Sequence, residues 1–529
     1  MSDSKSNLSL SSRALTIERL FRTTITPSQH SLVSQYLVDA EAEIKRHEIQ
    51  IDKLRSSIVL LENKRSNLSK KAVKYRTLLS PVHRIPPEVL EKVFSFACEG
   101  STLQTDLIPP PILLSGVCGR WRDITLAMPS LWTSVHIISL GEWAEKKRYK
   151  HLLHRVQYFL ERSKKSPLDL VLDFSFKFPH RDAVPILAAL VSQATRWQRL
   201  TLQNTNDGCL RHPVFCALEQ LGLPMLTHLA ATGSFADDTA QECQLFSHCP
   251  SLTSLVMTDG GPLSIRDNLP WRQIKTLQTF TAYESSGLGV VAQCPNVEQL
   301  TLRDIGGISE GGPFRGEHIN YPVKELSVRA NTEDEVTCIF KNSTLHELSY
   351  LEIQGRTQTV WNLSESGQNI IIDFFTRSAC SLTSLTLTKL PISDTQTIYL
   401  LSILPTLTSL HIEEQCRPRL PINRIITPSF LDRLSDVTNM DTRPFLPALA
   451  RIKFLLHAQE LDIGALSRAL SSRWVPDSEY ASELGISCIQ LVDIVFVEKG
   501  QHVEHLKSSL GWMSRAGAFL YVSNIGGAT

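Results

Sequence analysis

From about residue 165 to residue 454 one short pattern keeps returning: an apolar residue, two polar residues, a leucine, one further residue, and an apolar residue. It reads PLDLVL at 167–172, WQRLTL at 197–202, MLTHLA at 225–230, SLTSLVM at 251–257 and TLQTFTA at 276–282. It continues as NVEQLTL at 296–302, VKELSV at 323–328, LSYLEI at 348–353, SLTSLTL at 381–387, TLTSLHI at 406–412 and ALARIKF at 448–454. The central apolar residues are Leu200, Leu229, Leu255, Phe280, Leu300, Leu326, Leu351, Leu385, Leu410 and Ile452, and most steps between them are 20 to 34 residues. Alternation marks a strand with every second side chain inward. A single unit of this length can bury that face only by stacking on a neighbour, so a run of copies specifies a solenoid of strand-and-return repeats. A general α/β fold with a parallel sheet would use the same strands, but ten or more copies in line favour the solenoid.

Between the strands lie apolar stretches that end at or near a proline or a cysteine: QECQLFSHCP before Ser251, GVVAQCP before Asn296, IIDFFTRSAC before Ser381 and IYLLSILP before Thr406. Each is expected to form the helix that returns the chain to its next strand. The period is that of leucine-rich repeats, although the asparagine that usually follows the strand in that family is missing. Strand leucines continue to about residue 454, and from Leu461 the pattern loosens. ISCIQLVDIVFVE at 486–498, alternating Ile489, Leu491, Asp493 and Val495, is expected as the last strand, preceded by a helix from Ile463 to Arg473.

Ahead of the repeats, heptads run from Leu37 to Leu79. Leu37, Ile44, Ile51, Ile58, Ala72 and Leu79 stand at one seam position, with Arg65 as its charged interruption; Ala40, His47, Leu54, Leu61, Leu68 and Tyr75 stand three residues later. Neither Gly nor Pro interrupts before Pro81. Ile at one position and Leu at the other suits a parallel two-stranded coiled coil, so residues 37–79 are a candidate homodimer interface. A long helix folded back on the following module would use the same stripe.

Ile85 to Trp132 opens IPPEVLEKVFSFAC and resumes, after a Pro-rich insert from Glu99 to Pro111, as PPILLSGVCGRWRDITLAMPSLW. Pro86 and Pro87 suit a first helical turn, and Val89, Leu90, Val93, Phe94 and Ala97 make an apolar face. Leu113, Leu114, Val117, Cys118 and Trp121 repeat that face in an expected second helix, and Pro129 stops the chain before Leu131 and Trp132. The ordered set of Pro-Pro-Glu, Val-Phe, Val-Cys-x-x-Trp-Arg and Pro-Ser-Leu-Trp resembles an F-box, the three-helix unit that docks on the Skp adaptor of cullin-type ubiquitin ligases. The opening is Ile-Pro where the family usually has Leu-Pro, and the insert is longer than in many members. The whole layout, irregular repeats included, is similar to F-box proteins of mushroom-forming fungi. The resemblance implies adaptor contacts at Ile85, Pro86, Glu88, Val89, Leu90, Val93, Phe94, Leu114, Val117, Cys118 and Trp121. It also implies a substrate-recognition subunit that does no chemistry itself. The repeats would then bind an unidentified target, with strand-flanking residues such as Thr201, Thr301, Arg303, Thr386, His411 and Glu413 on the binding face. A dimeric scaffold with no link to ubiquitin is the alternative.

Composition narrows the remaining classes. A net charge of +1 over 529 residues gives no footprint for nucleic acid. No apolar run approaches the ~18 residues of a membrane span, and the polar start MSDSKSNLSLSSR lacks the apolar core of a secretory signal. An intracellular protein of the cytoplasm or nucleus is expected, its 11 cysteines reduced; Cys243 and Cys249 lack the second half of a zinc site. His151 and His154 have no Glu partner in a metalloprotease arrangement, and the run Lys146–Lys150 reads as a solvated helix face rather than a nuclear signal or basic patch. Gly-rich phosphate loops, nucleophile elbows and paired carboxylates are missing from the sequence, so neither an enzyme nor a cofactor is expected. The expected layout is α/β: a disordered polar segment over 1–34, a long helix over 35–80, the F-box over 82–132, a leucine-rich-repeat solenoid over 133–500, and a cap with a loose tail over 501–529.

Overall fold

The computed structural model describes residues 21–22, 24–100, 102–103, 107–138, 146–174, 181–205, 210, 212–233, 245–258, 269–280, 290–303, 319–355, 363–414, 424–436, 444–459, 461–498 and 500–525. Two compact units divide the chain, residues 1–90 and 91–529.

The first unit is dominated by α1 (Pro27–Leu78), a single helix of 52 residues. Pro27 opens it, and the backbone N–H of Thr26 donates to Gln29 Oε1 at 3.1 Å, which satisfies one end of the first turn. Helix therefore begins inside the segment expected to be disordered; residues 1–20 of that segment lie outside the described residues. None of the 52 residues is buried. Just beyond the helix, Pro81 begins a short 3-10 turn (Pro81–Arg84).

The second unit opens within α2 (Pro87–Cys98) and carries the other described helices: α3 (Pro110–Val117), α4 (Gly119–Ala127), α5 (Lys146–Arg162), α6 (Val184–Val191), α7 (Cys216–Leu221), α8 (Glu333–Lys341), α9 (Glu365–Ser378), α10 (Asp394–Ser402), α11 (Pro428–Ser435), α12 (Ile463–Ser472), α13 (Ser478–Glu483) and α14 (His502–Arg515). Its strands are β1 (Ser134–Ile137), β2 (Leu168–Asp173), β3 (Trp197–Thr205), β4 (His228–Gly233), β5 (Ser254–Thr258), β6 (Thr276–Phe280), β7 (Gln299–Arg303), β8 (Ile319–Asn320), β9 (Glu325–Ala330), β10 (Ser343–Thr344), β11 (Tyr350–Gly355), β12 (Ser384–Thr388), β13 (Ser409–Glu413), β14 (Arg451–Leu456), β15 (Leu491–Phe496) and β16 (Phe519–Asn524). Fourteen of these form one open sheet in strict chain order, while β8 and β10 pair separately. Every described pairing in the sheet is parallel, so each strand is followed in space by the next one in sequence, the arrangement of a solenoid-like α/β unit.

Register explains the repeat. Val135, Leu170, Leu200, Leu229, Leu255, Leu277, Leu300, Leu326, Leu351, Leu385, Leu410, Ile452, Val492 and Leu520 stand side by side across the sheet. All but Leu520 are buried, and each buried leucine contributes about 1.5–3 kcal/mol. The expectation erred at one copy: Leu277, not Phe280, occupies the ladder in β6, and Phe280 lies at the strand end opposite Thr258 and Arg303. A second row, two residues on, includes Leu302, Val328, Ile353, Leu387 and Ile412, and there Thr279 is the buried polar member.

The returns are of two kinds. Before Ser384 and Ser409 they are the helices α9 and α10, as the sequence suggests. Before Ser254 and Gln299 the described part is almost entirely turns, although Leu245, Phe246, Cys249, Val290, Val291 and Cys294 are buried all the same. Cys243 and residues 281–289 lie outside the described residues.

Three arginines tie neighbouring repeats together. Arg196 donates to the carbonyls of Leu160 (3.2 Å), Ser166 (3.3 Å) and Lys164, and to Ser163 Oγ (2.9 Å). Arg377 donates to the carbonyls of Phe340 (2.6 Å) and Ser343 (2.8 Å). Arg473 donates to the carbonyls of Leu434 (2.8 Å), Leu446 (3.2 Å) and Phe445. Each sits at the end of one return segment and satisfies carbonyls that the preceding helix leaves open, at the ends of α5, α8 and α11.

The repeats also run further than expected. In β15 the inward residues are Val492, Ile494 and Phe496, the alternation opposite to the expected Leu491, Asp493 and Val495. β15 is not the last strand: α14 and β16 add another repeat through Asn524, where a cap and loose tail were expected from residue 501. Residues 526–529 lie outside the described residues.

Candidate docking site

In α2, a proline at the first position and Glu88 in the first turn favour the helix start, since a carboxylate complements the N-terminal dipole. This helix is apolar on two sides. Leu90, Phe94 and Cys98 are buried, whereas Val89, Val93 and Phe96 are exposed, Phe96 at 73%. The buried side is locked by Phe94, whose ring lies 4.9 Å from that of Trp121 in α4 at an interplanar angle of 60°. Such tilted aromatic pairs add about 0.5–1.5 kcal/mol to simple burial. Burial also pushes the Cys98 thiol up to about 11.

The segment from Leu113 to Trp121 is two helices rather than the single one expected. Cys118 is extended, with φ −157° and ψ 170°, and its Sγ accepts the Trp121 N–H at 3.5 Å, so it ends α3 and caps α4. Arg122 Nε donates to the Ser115 carbonyl at 3.0 Å across this break. On α3, Leu113 and Val117 are one turn apart and both 56% exposed. After α4, the Pro-Ser-Leu-Trp turn buries Leu131 and Trp132. Trp132 Nε1 donates to the Thr125 carbonyl at 3.0 Å, and its ring meets Phe159 of α5 edge-on at 5.1 Å, which anchors the short helices to the first repeat. The insert has a second use: Leu103 N–H donates to the His136 carbonyl at 2.8 Å, covering the free edge of β1.

The eleven positions to which the F-box resemblance pointed therefore separate by exposure. Pro86, Glu88, Val89, Val93 and Val117 are exposed; Ile85, Leu114, Cys118 and Trp121 are half-buried; Leu90 and Phe94 are inside the protein. The F-box resemblance points to neither Phe96 nor Leu113, although both are exposed. The spacing of Val89, Val93 and Phe96 at i, i+4 and i+7 carried the signal, masked by the stronger apolar stripe beside it.

A second surface lies on the sheet face opposite the leucine ladder. Thr201, Thr301, Thr386 and His411 fall in a single cross-strand row with Ser327, Glu352, Lys453 and Asp493, while Arg303 and Glu413 fall in an adjoining row. The rows mix both charges and internal polar contacts. Ser327 Oγ donates to Glu352 Oε2 at 2.8 Å, Lys389 Nζ lies 3.0 Å from Glu413, and Lys453 Nζ lies 3.8 Å from Asp493. Burial, followed by the nearby Lys453 charge, lowers the pKa of His411. Burial likewise lowers His228, whose Nδ1 lies 2.8 Å from Ser254 Oγ. Apart from Ala230 and Val256, which stand between Thr201 and Gln278 in the row, this face presents hydrogen-bonding groups at a regular strand spacing.

Among the described residues, His151 and His154 are exposed on α5, and no group of three His, Cys, Asp or Glu side chains is placed to hold a metal ion. No described helix is long and apolar enough to cross a membrane. No protein-family model matches the chain, and no curated protein matches its sequence.

Proposed function

We propose that this chain is the substrate-recognition subunit of an Skp–cullin–F-box ubiquitin ligase. Residues 82–132 act as the F-box that docks on the Skp adaptor, and the following strands act as a leucine-rich-repeat solenoid that binds a target protein in the cytoplasm or nucleus. The observation that carries the reading is the exposure of Val93 and Phe96 on α2 and of Leu113 and Val117 on α3, beside a buried side of α2 held by the Phe94–Trp121 ring pair. Apolar side chains held rigidly in water favour a protein partner. Docking then rests on the exposed set, with Pro86, Glu88 and Val89 beside it, whereas Leu90, Phe94 and Trp121 shape the module. The polar sheet face supplies the target surface, and the chain contributes proximity and orientation while partner proteins catalyse ubiquitin transfer. Purification of the tagged full chain from native cells tests this reading. The Skp adaptor and a cullin should co-purify in near-equal amounts; a preparation with neither, from cells that contain both, contradicts it.

A further inference from the structure

The long helix α1 has an apolar seam that no described residue of its own unit covers. Ile44, Ile51, Leu54, Ile58, Leu61 and Leu68 are between 46% and 66% exposed, and no residue of the helix is buried. A helix of 52 residues extends about 78 Å, and apolar seams of this length are stable in water when another helix covers them.

Charge along the helix is not symmetric. Asp39, Glu41, Glu43, Glu48 and Asp52 outnumber Lys45 and Arg46 in its first half, whereas from Lys53 to Arg76 eight bases face the single acid Glu62. We propose that α1 pairs with α1 of a second copy of this chain in an antiparallel coiled coil, with Ile58 of each chain opposite Leu61 of the other. The acidic half of one helix then lies along the basic half of its partner. This register sets Glu41 against the other copy's Arg76, and Arg55 against its Glu62.

The seam itself favours the same direction. A parallel pair, which the alternation of Ile and Leu alone would suggest, stacks Arg65 on Arg65, His47 on His47 and Ala72 on Ala72. It also opposes Glu43 to Glu48 and Lys71 to Arg76 on the flanks. The antiparallel register replaces these like-with-like layers by Arg65 over Leu54 and His47 over Ala72, a large residue over a small one. Arg65 can extend its stem along Leu54 and keep its guanidinium in water. Within one chain Arg55 lies 3.5 Å from Asp52, an exposed contact that does not compete strongly with a partner helix. This inference is independent of the proposed ligase role.

Glu41 and Arg76 are both exposed, so reversing their charges leaves the fold intact. Sedimentation equilibrium on the full-length chain reads the association. Wild type should be a dimer, and Glu41→Lys and Arg76→Glu should each weaken it about tenfold, since symmetry changes two flanking pairs at once. The double variant Glu41→Lys/Arg76→Glu should regain wild-type affinity. A parallel dimer gives the opposite pattern: Arg76→Glu tightens association by facing Lys71, and the double variant follows it. That pattern, or a wild-type monomer at every concentration up to about 100 μM, overturns the proposal.

Discussion

Replacing Arg473 by alanine should destabilise the C-terminal repeats more than any comparable surface change. The guanidinium is fully buried, and it donates to the carbonyls of Leu434, Phe445 and Leu446, which close α11 and the segment leading to β14. Burial, with the nearby Arg433 charge, lowers its pKa to about 10, so the side chain is still protonated at neutral pH. Truncation takes the guanidinium from the Leu434 and Phe445 carbonyls at about 1–3 kcal/mol each, whereas the Leu446 carbonyl keeps the Leu449 N–H at 3.2 Å. Water entering the vacated space recovers part of that loss, which leaves a net cost of about 2–4 kcal/mol. Arg473→Lys keeps the charge but cannot span three acceptors, because an ammonium lacks the planar fork, and about half of the loss should remain. Urea unfolding followed by tryptophan fluorescence measures the global effect, and amide hydrogen exchange locates it. Protection should fall first in 430–456 and 463–473. If Arg473→Ala unfolds within about 0.5 kcal/mol of wild type, the guanidinium does not hold these repeats together.

Three other outcomes follow from the core. Thr279 is buried in the second aliphatic row and its hydroxyl has no hydrogen-bond partner among the described residues, so Thr279→Val should raise stability by about 1 kcal/mol in the same urea assay; a loss would show that the hydroxyl is satisfied. Burial pushes the thiols of Cys249 and Cys294 up to about 12 and that of Cys98 up to about 11, whereas Cys216 is exposed. Iodoacetamide at pH 8 should therefore label Cys216 in the native protein and reach the other three only after denaturation, as read by peptide mass spectrometry. Deleting residues 501–529 removes α14 and β16 and uncovers the edge of β15 with Val492, Ile494 and Phe496, so the fragment should aggregate, whereas deleting residues 526–529 should be silent. A monodisperse 1–500 fragment by light scattering would show that the last repeat is dispensable.

Much of the parallel sheet was legible because Leu-x-apolar marks an inward pair wherever a strand packs against a return segment. The misassigned copy shows the limit of that signal. TLQTF carries two apolar residues three apart, either of which fits the pattern, and only pairing with Leu255 and Leu300 selects Leu277. The final repeat was obscured for a related reason: Phe519 and Tyr521 stand exposed on the open face of β16, so its hydrophobic alternation points outward. The arginine ties had no sequence signature, since their acceptors are backbone carbonyls 27 to 39 residues away in the case of Arg473. At the candidate docking site, periodicity marks one apolar stripe in a helix that has two. Exposure separates Val93 and Phe96 from Leu90 and Phe94, and periodicity alone does not.

Titration of the purified Skp adaptor into the full-length chain, by calorimetry, reads docking on α2 and α3 itself. Val93 is half exposed on α2, so Val93→Asp should leave the urea midpoint unchanged while lowering adaptor affinity at least 30-fold, the effect of placing a charge in an apolar contact. Phe96→Asp should behave alike, and Trp121→Ala should lose stability and affinity together by removing the ring against Phe94. A wild-type chain that gives no binding heat and no co-migration with the adaptor, or a Val93→Asp chain that binds as wild type does, would contradict the account.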